Sequence, residues 1–276
     1  MRYPIIISIL LLAVLDAEAR PYRALHARTP RATSAGKLEL GLRYDGLLLG
    51  TGRSFDPGNF HQLAGTVRWG AMDVLELELE VPGILFPDTV SSPNSELAFG
   101  DVRLAAQLSL VREGPARMGF YFGLAAPTGP DANDLLPPFF HDGNLDLEGL
   151  LLLEIAPGET FRFIGDVGFQ RHGNRNRGDL EDFNVPNAIR YDLALGINLG
   201  PHSLLLLELS GRHFIFPEIT PLWVDNDDIV ELAPGFRLET SPGLVLELGA
   251  GFAVVRATES IYQYRVLAGF TYELGS

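Results

Sequence analysis

The sequence predicts an all-β protein, a closed antiparallel transmembrane β-barrel of about 12 strands with short periplasmic turns and long extracellular loops. Three observations predict this fold. Apolar and polar residues alternate from residue 38 to residue 274, nearly all charged residues of each segment share one parity, and short links alternate with long ones. Alternation with a period of two indicates β-strands. Leucines on one face and charges on the other fit a barrel with lipid outside and water inside.

The alternating segments define the predicted strands, each long enough to cross a bilayer with tilt. They lie near residues 37–49, 60–70, 73–85, 97–111, 116–126, 144–155, 159–171, 188–199, 203–214, 229–239, 243–255 and 262–274. An even number of strands is typical of single-chain barrels in bacterial outer membranes.

The links between these strands support the same topology. The tight links are residues 70–73, 112–115, 156–158, 200–202 and 241–243. The intervening links, residues 50–59, 86–96, 127–143, 172–187 and 216–228, are long, and a last one near residues 258–260 is short. Short turns on one side and long loops on the other predict a barrel with both termini in the periplasm.

The N-terminus predicts export. Arg2 supplies a basic start, residues 5–15 are apolar, and Ala17-Glu18-Ala19 fits the small-x-small pattern for signal-peptide cleavage. The apolar stretch is shorter than the roughly 20 residues of a transmembrane helix, and a buried N-terminal helix is the alternative. We therefore expect a signal peptide at 1–19, a periplasmic N-terminal segment at 20–36, a barrel at 37–276 and a location in the bacterial outer membrane.

Composition argues against several classes of function. The chain has no cysteine, which removes disulfides, thiolate metal sites and cysteine nucleophiles. Its net charge of −14 argues against nucleic acid as a partner, because phosphates require a basic surface. Asp225, Asp227 and Asp228 could hold a divalent cation, but they lack the glycine and distal glutamate of a calcium loop. We interpret them as a solvated acidic loop and expect no metal or cofactor.

The predicted lumen face carries the candidate selectivity residues. Glu76, Glu78 and Glu80 form its densest acidic row, opposite leucines that would face lipid. The other lumen candidates are Asp101, Arg103, Asp146, Glu148, Arg190, Asp192 and Arg265. Both signs are present with acids in excess, so we expect a charge-lined bore that favours cations or polar neutral solutes. Charges that only brace or solvate the wall are the alternative.

Small and aromatic residues also follow the predicted faces. Glycines on the lumen parity would make room for long side chains or permit strand coiling; they are Gly119, Gly123, Gly196, Gly235, Gly249, Gly251 and Gly269. Aromatic residues on the lipid parity near strand ends predict interfacial girdles. These are Trp69, Phe161 and Tyr272 at the periplasmic ends, and Tyr44, Tyr191 and Tyr262 at the outer ends.

Two loop features suggest further contacts. The link at 127–143 carries Leu135, Leu136, Phe139 and Phe140 and is too apolar for a freely solvated loop. We expect it to fold into the barrel mouth as a constriction, with lipid contact as the alternative. Outer-membrane lipid surrounds a barrel of this kind, and basic residues at the outer rim could pair with lipopolysaccharide phosphates or remain exposed; they are Arg171, Arg175 and Arg177.

The middle of the chain resembles a known family. Phe99-Gly100-Asp101-Val102-Arg103 leads into one strand, and residues 123–129, Gly-Leu-Ala-Ala-Pro-Thr-Gly, end the next. These motifs resemble the outer-membrane family named for the MetA pathway of phenol degradation. The resemblance implies a barrel that passes small, often aromatic or hydrophobic compounds. The C-terminus resembles the signal read by the barrel-assembly machinery, although it ends Leu274-Gly275-Ser276 instead of with an aromatic residue.

The sequence therefore predicts a passive channel or transporter for a small-molecule solute, and not an enzyme. A plugged structural or surface-contact barrel is the first alternative. The second is an outer-membrane lipid-modifying enzyme, which would place a histidine and a nucleophile at the outer rim. His202-Ser203 falls instead in a predicted periplasmic turn, and His141, His172 and His213 have no adjacent serine.

Overall fold

The structure, a computed structural model, describes residues 25–48, 60–86, 96–128, 145–173, 187–215, 229–240, 243–255 and 264–274. These residues form thirteen strands. They are β1 (Leu38–Leu48), β2 (Phe60–Met72), β3 (Leu75–Phe86), β4 (Glu96–Phe99), β5 (Val102–Val111), β6 (Ala116–Ala126), β7 (Asp146–Ile155), β8 (Phe161–Arg171), β9 (Asn187–Gly200), β10 (Ser203–Ile215), β11 (Ile229–Thr240), β12 (Leu244–Val255) and β13 (Tyr264–Leu274). The described ranges contain no helix long and apolar enough to cross a membrane.

The strands close into one antiparallel barrel. Apart from β4 and β5, each strand pairs with its neighbours in sequence, and β1 pairs with both β2 and β13, so the described sheet has no free long edge. Strands β4 and β5 both pair with β3 and share one position in the wall. The wall therefore has twelve strand positions, and the predicted fold class is confirmed.

The break between β4 and β5 divides the strand predicted at 97–111. It lies opposite Pro82 of β3, which has no N–H to donate across the pair. The backbone N–H of Gly100 still donates to the Pro82 carbonyl at 2.8 Å. Beyond it, the Asp101 carboxylate accepts from the Thr128 N–H at 3.0 Å, and the Thr128 hydroxyl accepts from the Val102 N–H at 2.8 Å. Side chains thus replace ladder bonds at this point.

The two faces of the wall differ as the alternation predicts. On β3, Leu77 and Leu79 are 39% and 38% exposed on the outside, whereas Glu76 and Glu78 are each 4% exposed on the inside. The outer face also carries large apolar residues of other strands, including Phe120, Leu151 and Phe270. An apolar exterior around a charged interior is the arrangement of a transmembrane barrel.

Aromatic residues stand on the outer face near strand ends. Trp69, Phe161 and Tyr272 are among the exposed large side chains. At the opposite end, the Tyr44 hydroxyl lies 2.6 Å from Nδ1 of His61, and the two rings stack. Tyr262 lies outside the described residues.

Residues 25–36, which we name the lumen segment, run inside the barrel and not in the periplasm. Their main chain and side chains contact inward-facing residues of β3, β5, β7, β8 and β10. The sequence predicts a periplasmic segment over residues 20–36, and the described part of it, residues 25–36, lies inside the barrel. The physical reason is complementarity, because the barrel interior carries an excess of carboxylates and the segment brings cations and backbone N–H donors.

Candidate functional site in the lumen

The lumen segment enters at the end of the barrel that carries the short links. The Gly36 N–H donates to the Gly70 carbonyl at 2.8 Å, and the Gly70 N–H donates to the Lys37 carbonyl at 3.0 Å. The Ala35 N–H reaches the Asp73 carboxylate at 3.2 Å. Gly36 has φ 80°, in the left-handed region that favours glycine. This turn directs the chain from β1 back into the lumen.

Hydrogen bonds from the wall hold the next part of the segment. The Thr33 N–H and hydroxyl lie 2.9 and 2.8 Å from Oε2 of Glu76. The Ser109 hydroxyl donates to the Pro30 carbonyl at 2.6 Å and accepts from the Ala32 N–H at 3.1 Å. The Gln107 amide donates to the carbonyls on either side of Pro30, those of Thr29 and Arg31, at 2.9 Å each. The wall therefore binds the segment through both its N–H and its carbonyl groups.

Arg31 belongs to a cluster of arginines on one buried carboxylate. Its Nε and Nη2 each donate to an oxygen of Glu154 at 3.0 Å in a bidentate pair. Arg117 of β6 reaches the same carboxylate at 3.0 Å, and Arg162 of β8 lies 3.6 Å from it. Glu154 thus joins the segment to two wall strands.

Arg28 contacts strands β3, β6 and β8 inside the barrel. Its guanidinium nitrogens lie 3.3 and 3.5 Å from the Glu78 carboxylate oxygens, and Arg68 of β2 donates to the same carboxylate at 3.0 Å. The guanidinium carbon lies 3.7 Å from the ring centroid of Tyr121, within cation–π range. The Arg28 N–H also donates to Asp166 at 2.7 Å.

His26 and Ala27, at the end of the segment farthest from β1, are bound by two buried carboxylates. The N–H groups of His26 and Ala27 both donate to Oε1 of Glu208, at 2.6 and 2.7 Å. The His26 ring lies 2.9 Å from Glu231.

Leu25 packs among inward-facing apolar side chains of the wall. This cluster comprises Leu25, Ala27, Ile164, Ala194, Leu204, Leu206, Ala233 and Leu267. Glycines lie directly under the segment: an added Cβ would approach Leu25 to 2.6 Å at Gly235 and at Gly249, and Pro30 to 3.0 Å at Gly119. These lumen glycines therefore make room for the segment.

The acidic row predicted on β3 does not act as one unit. Glu76 and Glu78 bind the lumen segment through Thr33 and Arg28. Glu80 is buried and has Arg103 of β5 at 3.9 Å. It also lines a cavity of about 30 Å³ beside Leu25, at the β1–β3 and β12–β13 side of the lumen. That cavity has room for about one water molecule.

The other predicted lumen residues form paired groups inside the wall. Arg190 donates to Glu148 at 2.8 Å and to Asp192 at 2.8 Å, and it reaches the His26 carbonyl at 3.2 Å. The remaining pairs are Arg265 with Asp45, Asp146 with His172 at 3.0 Å, and Asp101 with the Thr128 N–H at 3.0 Å. Their inward positions are observed, whereas their role in selectivity stays a prediction.

Several other predictions concern loops. Leu135, Leu136, Phe139 and Phe140 lie outside the described residues, as do the aspartates at 225–228 and the arginines at 175 and 177. Among the described residues, no group of three or more His, Asp or Glu side chains is arranged to hold a metal ion. His202 lies in the link before β10, as the sequence predicts.

Sequence reasoning missed the lumen segment and the residues that bind it most directly. Arg28, Arg31 and Thr33 lie before the first strand and show no strand periodicity. Glu154 and Glu208 fit the lumen parity but nothing local sets them apart from other inward charges. Two features of the sequence could have predicted a segment inside the lumen. They are the two arginines just before an acid-rich barrel and the glycines on the lumen parity of its strands.

No protein-family model and no curated protein sequence matches the chain. Solved structures do match its fold. The COG4313 outer membrane channel from Pseudomonas putida F1 is 15% identical with a TM-score of 0.67, over 94% of this chain and 100% of that chain. The NanC porin is 9% identical with a TM-score of 0.54, over 86% and 100%. The KdgM porin is 8% identical with a TM-score of 0.53, over 86% and 99%. At these identities, the likeness establishes that the chain has the outer-membrane β-barrel fold.

Proposed function

We propose that this protein is a passive outer-membrane channel for small molecules. The observation that carries the proposal is the two-faced wall, with exposed leucines such as Leu77 outside and buried charges such as Glu78 inside. A charged interior within a lipid-facing barrel provides a polar path across the membrane. The fold shared with the outer-membrane channels and porins named above supports the same proposal.

The charges inside the barrel favour small polar or cationic solutes. Carboxylates exceed basic groups, as the net charge of −14 also indicates, and excess negative charge lowers the energy of a cation in the bore. The hydrophobic or aromatic solutes implied by the resemblance to the phenol-degradation family are the second candidate class. The apolar cluster around Leu25 supports that class locally.

The lumen segment gives specific support to the alternative of a plugged barrel. With the segment in place, the cavity beside Leu25 has a volume of only about 30 Å³. A solute that takes the path now occupied by the segment therefore requires the segment to shift, because its residues contact wall strands from β3 to β10. A permanently held segment would leave a structural barrel, whereas a mobile one would give a gated channel.

An engineered disulfide separates these two functions. The Ala32 N–H and the Ser109 hydroxyl are 3.1 Å apart, so the double variant Ala32→Cys/Ser109→Cys would tie the segment to β5 in a chain without other cysteines. We expect current across planar bilayers from the reduced form and little from the oxidised form. The single variant Ala32→Cys, treated identically, is the control. Absence of current from both the native chain and the reduced variant would support the plugged alternative.

Partners at the barrel surface complete the proposal. We expect the apolar exterior to bind outer-membrane lipid, and the exposed Arg171 at the end of β8 to reach lipopolysaccharide phosphates. The barrel-assembly machinery would insert the chain. We propose no catalytic role; the rim histidine His172 is held by Asp146 and by Asn187 of β9, in contacts that brace adjacent strands.

A further inference from the structure

Glu208 is a buried carboxylate that the wall itself does not satisfy. It is 0% exposed in the middle of β10. Its Oε1 accepts from the backbone N–H groups of His26 and Ala27, and its Oε2 has no hydrogen-bond partner. Among the described residues, no basic side chain forms an ion pair with Glu208. This carboxylate is therefore placed to receive N–H donors from a molecule inside the lumen.

The surrounding wall recognises a peptide main chain at several more points. Asp166 accepts the Arg28 N–H at 2.7 Å, and Gln107 donates to the carbonyls of Thr29 and Arg31 at 2.9 Å each. Ser109 donates to the Pro30 carbonyl at 2.6 Å. Contacts to N–H and carbonyl groups do not depend on the side chains of the bound peptide. The wall could thus hold any extended chain that carries the right charges.

Two sites on the wall bind the positively charged side chains of the segment. Glu78 and the Tyr121 ring enclose the Arg28 guanidinium, which is almost fully buried. Glu154 binds Arg31 in a bidentate pair. Bidentate carboxylates and an aromatic face suit a guanidinium better than an ammonium group. The spacing between the pockets selects arginines three residues apart in an extended chain.

We propose that this part of the wall, formed by Glu78, Gln107, Glu154, Asp166 and Glu208, is a binding site for extended arginine-containing peptides. The lumen segment is its intramolecular occupant, and a peptide in the lumen competes with it. The inference rests on the proposed channel function, which gives such a peptide access. Because the tether holds the segment at an effective concentration in the millimolar range, a free peptide binds appreciably only when the segment is weakened.

The test uses the full-length protein in detergent and a fluorescent peptide with the sequence of residues 25–34. In the double variant Arg28→Ala/Arg31→Ala, the segment loses its guanidinium groups while the wall keeps its carboxylates. Fluorescence anisotropy should show binding at least about tenfold tighter than to the unaltered chain, since lost charged hydrogen bonds typically change affinity by that factor. Gly70→Ala, which crowds the segment where it enters, provides a second weakened variant if the first does not fold.

Two matched controls assign the binding to the proposed site. A peptide with both arginines replaced by glutamate should not bind. Adding Glu208→Gln to the weakened variant should reduce affinity about tenfold or more, whereas Glu247→Gln, which alters a carboxylate paired with Arg237 of the wall, should not. Equal affinity for both peptides, no binding to either weakened variant, or no effect of Glu208→Gln would overturn the inference.

Conductance distinguishes failure of the inference from failure of the channel proposal. A variant that conducts potassium chloride without being blocked by the arginine peptide would remain a channel and lose the proposed site. Peptide binding in detergent without any current would leave the site in a barrel that does not conduct.

Discussion

At the scale of single residues, buried carboxylates decide how the interior is held together. Glu154 receives guanidinium groups from the lumen segment, from β6 and from β8. Removing one partner of a buried ion pair leaves the others without compensation and is strongly destabilising. The same group therefore contributes to the stability of the wall and to the position of the segment.

We predict that Glu154→Ala lowers the free energy of unfolding by about 3 kcal/mol. This value is at the lower end of the range for breaking a buried ion pair, because Arg117 and Arg162 are partly exposed and can be solvated by water. Glu247→Ala is the matched control, because Glu247 is more exposed and pairs with Arg237 at 3.3 Å. Urea unfolding in detergent, followed by the loss of heat-modifiable gel migration, measures both. Equal stabilities of the two variants would contradict this account of Glu154.

At the scale of elements, the strands were predictable because each alternation is local to its own segment. The predicted 203–214, for example, corresponds to β10 at Ser203–Ile215. The break at Gly100 was not predictable from its own segment, since it depends on Pro82 in the neighbouring strand. The lumen segment was missed for the same reason, because all its partners lie far away in sequence. Long-range pairing, and not local preference, determines its place.

A substitution at Gly70 tests how the lumen segment enters the barrel. A Cβ added there would lie 2.0 Å from the Ser34 carbonyl oxygen, so the backbone of the segment must shift. We predict that Gly70→Ala speeds tryptic cleavage after Arg28 and Arg31 by about tenfold or more, because local opening exposes bonds that the barrel protects. Mass spectrometry of timed digests gives the rates.

The control for this substitution is Gly149→Ala in β7, where an added Cβ meets nothing within 4 Å. Its cleavage pattern should match that of the unaltered chain. Slow cleavage in Gly70→Ala, equal to that of Gly149→Ala, would show that the segment tolerates the crowding and would contradict the proposed entry geometry.

At the scale of the whole molecule, the alternation describes a wall with lipid outside and a polar lumen inside, and the lumen segment lies in that lumen. The acidic row on β3 is divided by this arrangement. Glu76 and Glu78 bind the segment, whereas Glu80 lines the cavity beside Leu25. A selectivity test on all three glutamates together would therefore mix a change in the path with a change in the segment.

Glu80→Gln alone separates the two effects. We predict that it lowers the ratio of potassium to chloride permeability by about two- to fivefold, the factor expected for the loss of one charge near a wet wall. Reversal potentials in a potassium chloride gradient measure the ratio. Glu113→Gln, which alters an exposed charge in the link between β5 and β6, should leave it unchanged. Glu76→Gln should act mainly on the size of the current, because its carboxylate holds Thr33 of the segment. An unchanged reversal potential in Glu80→Gln would place the ion path elsewhere in the lumen.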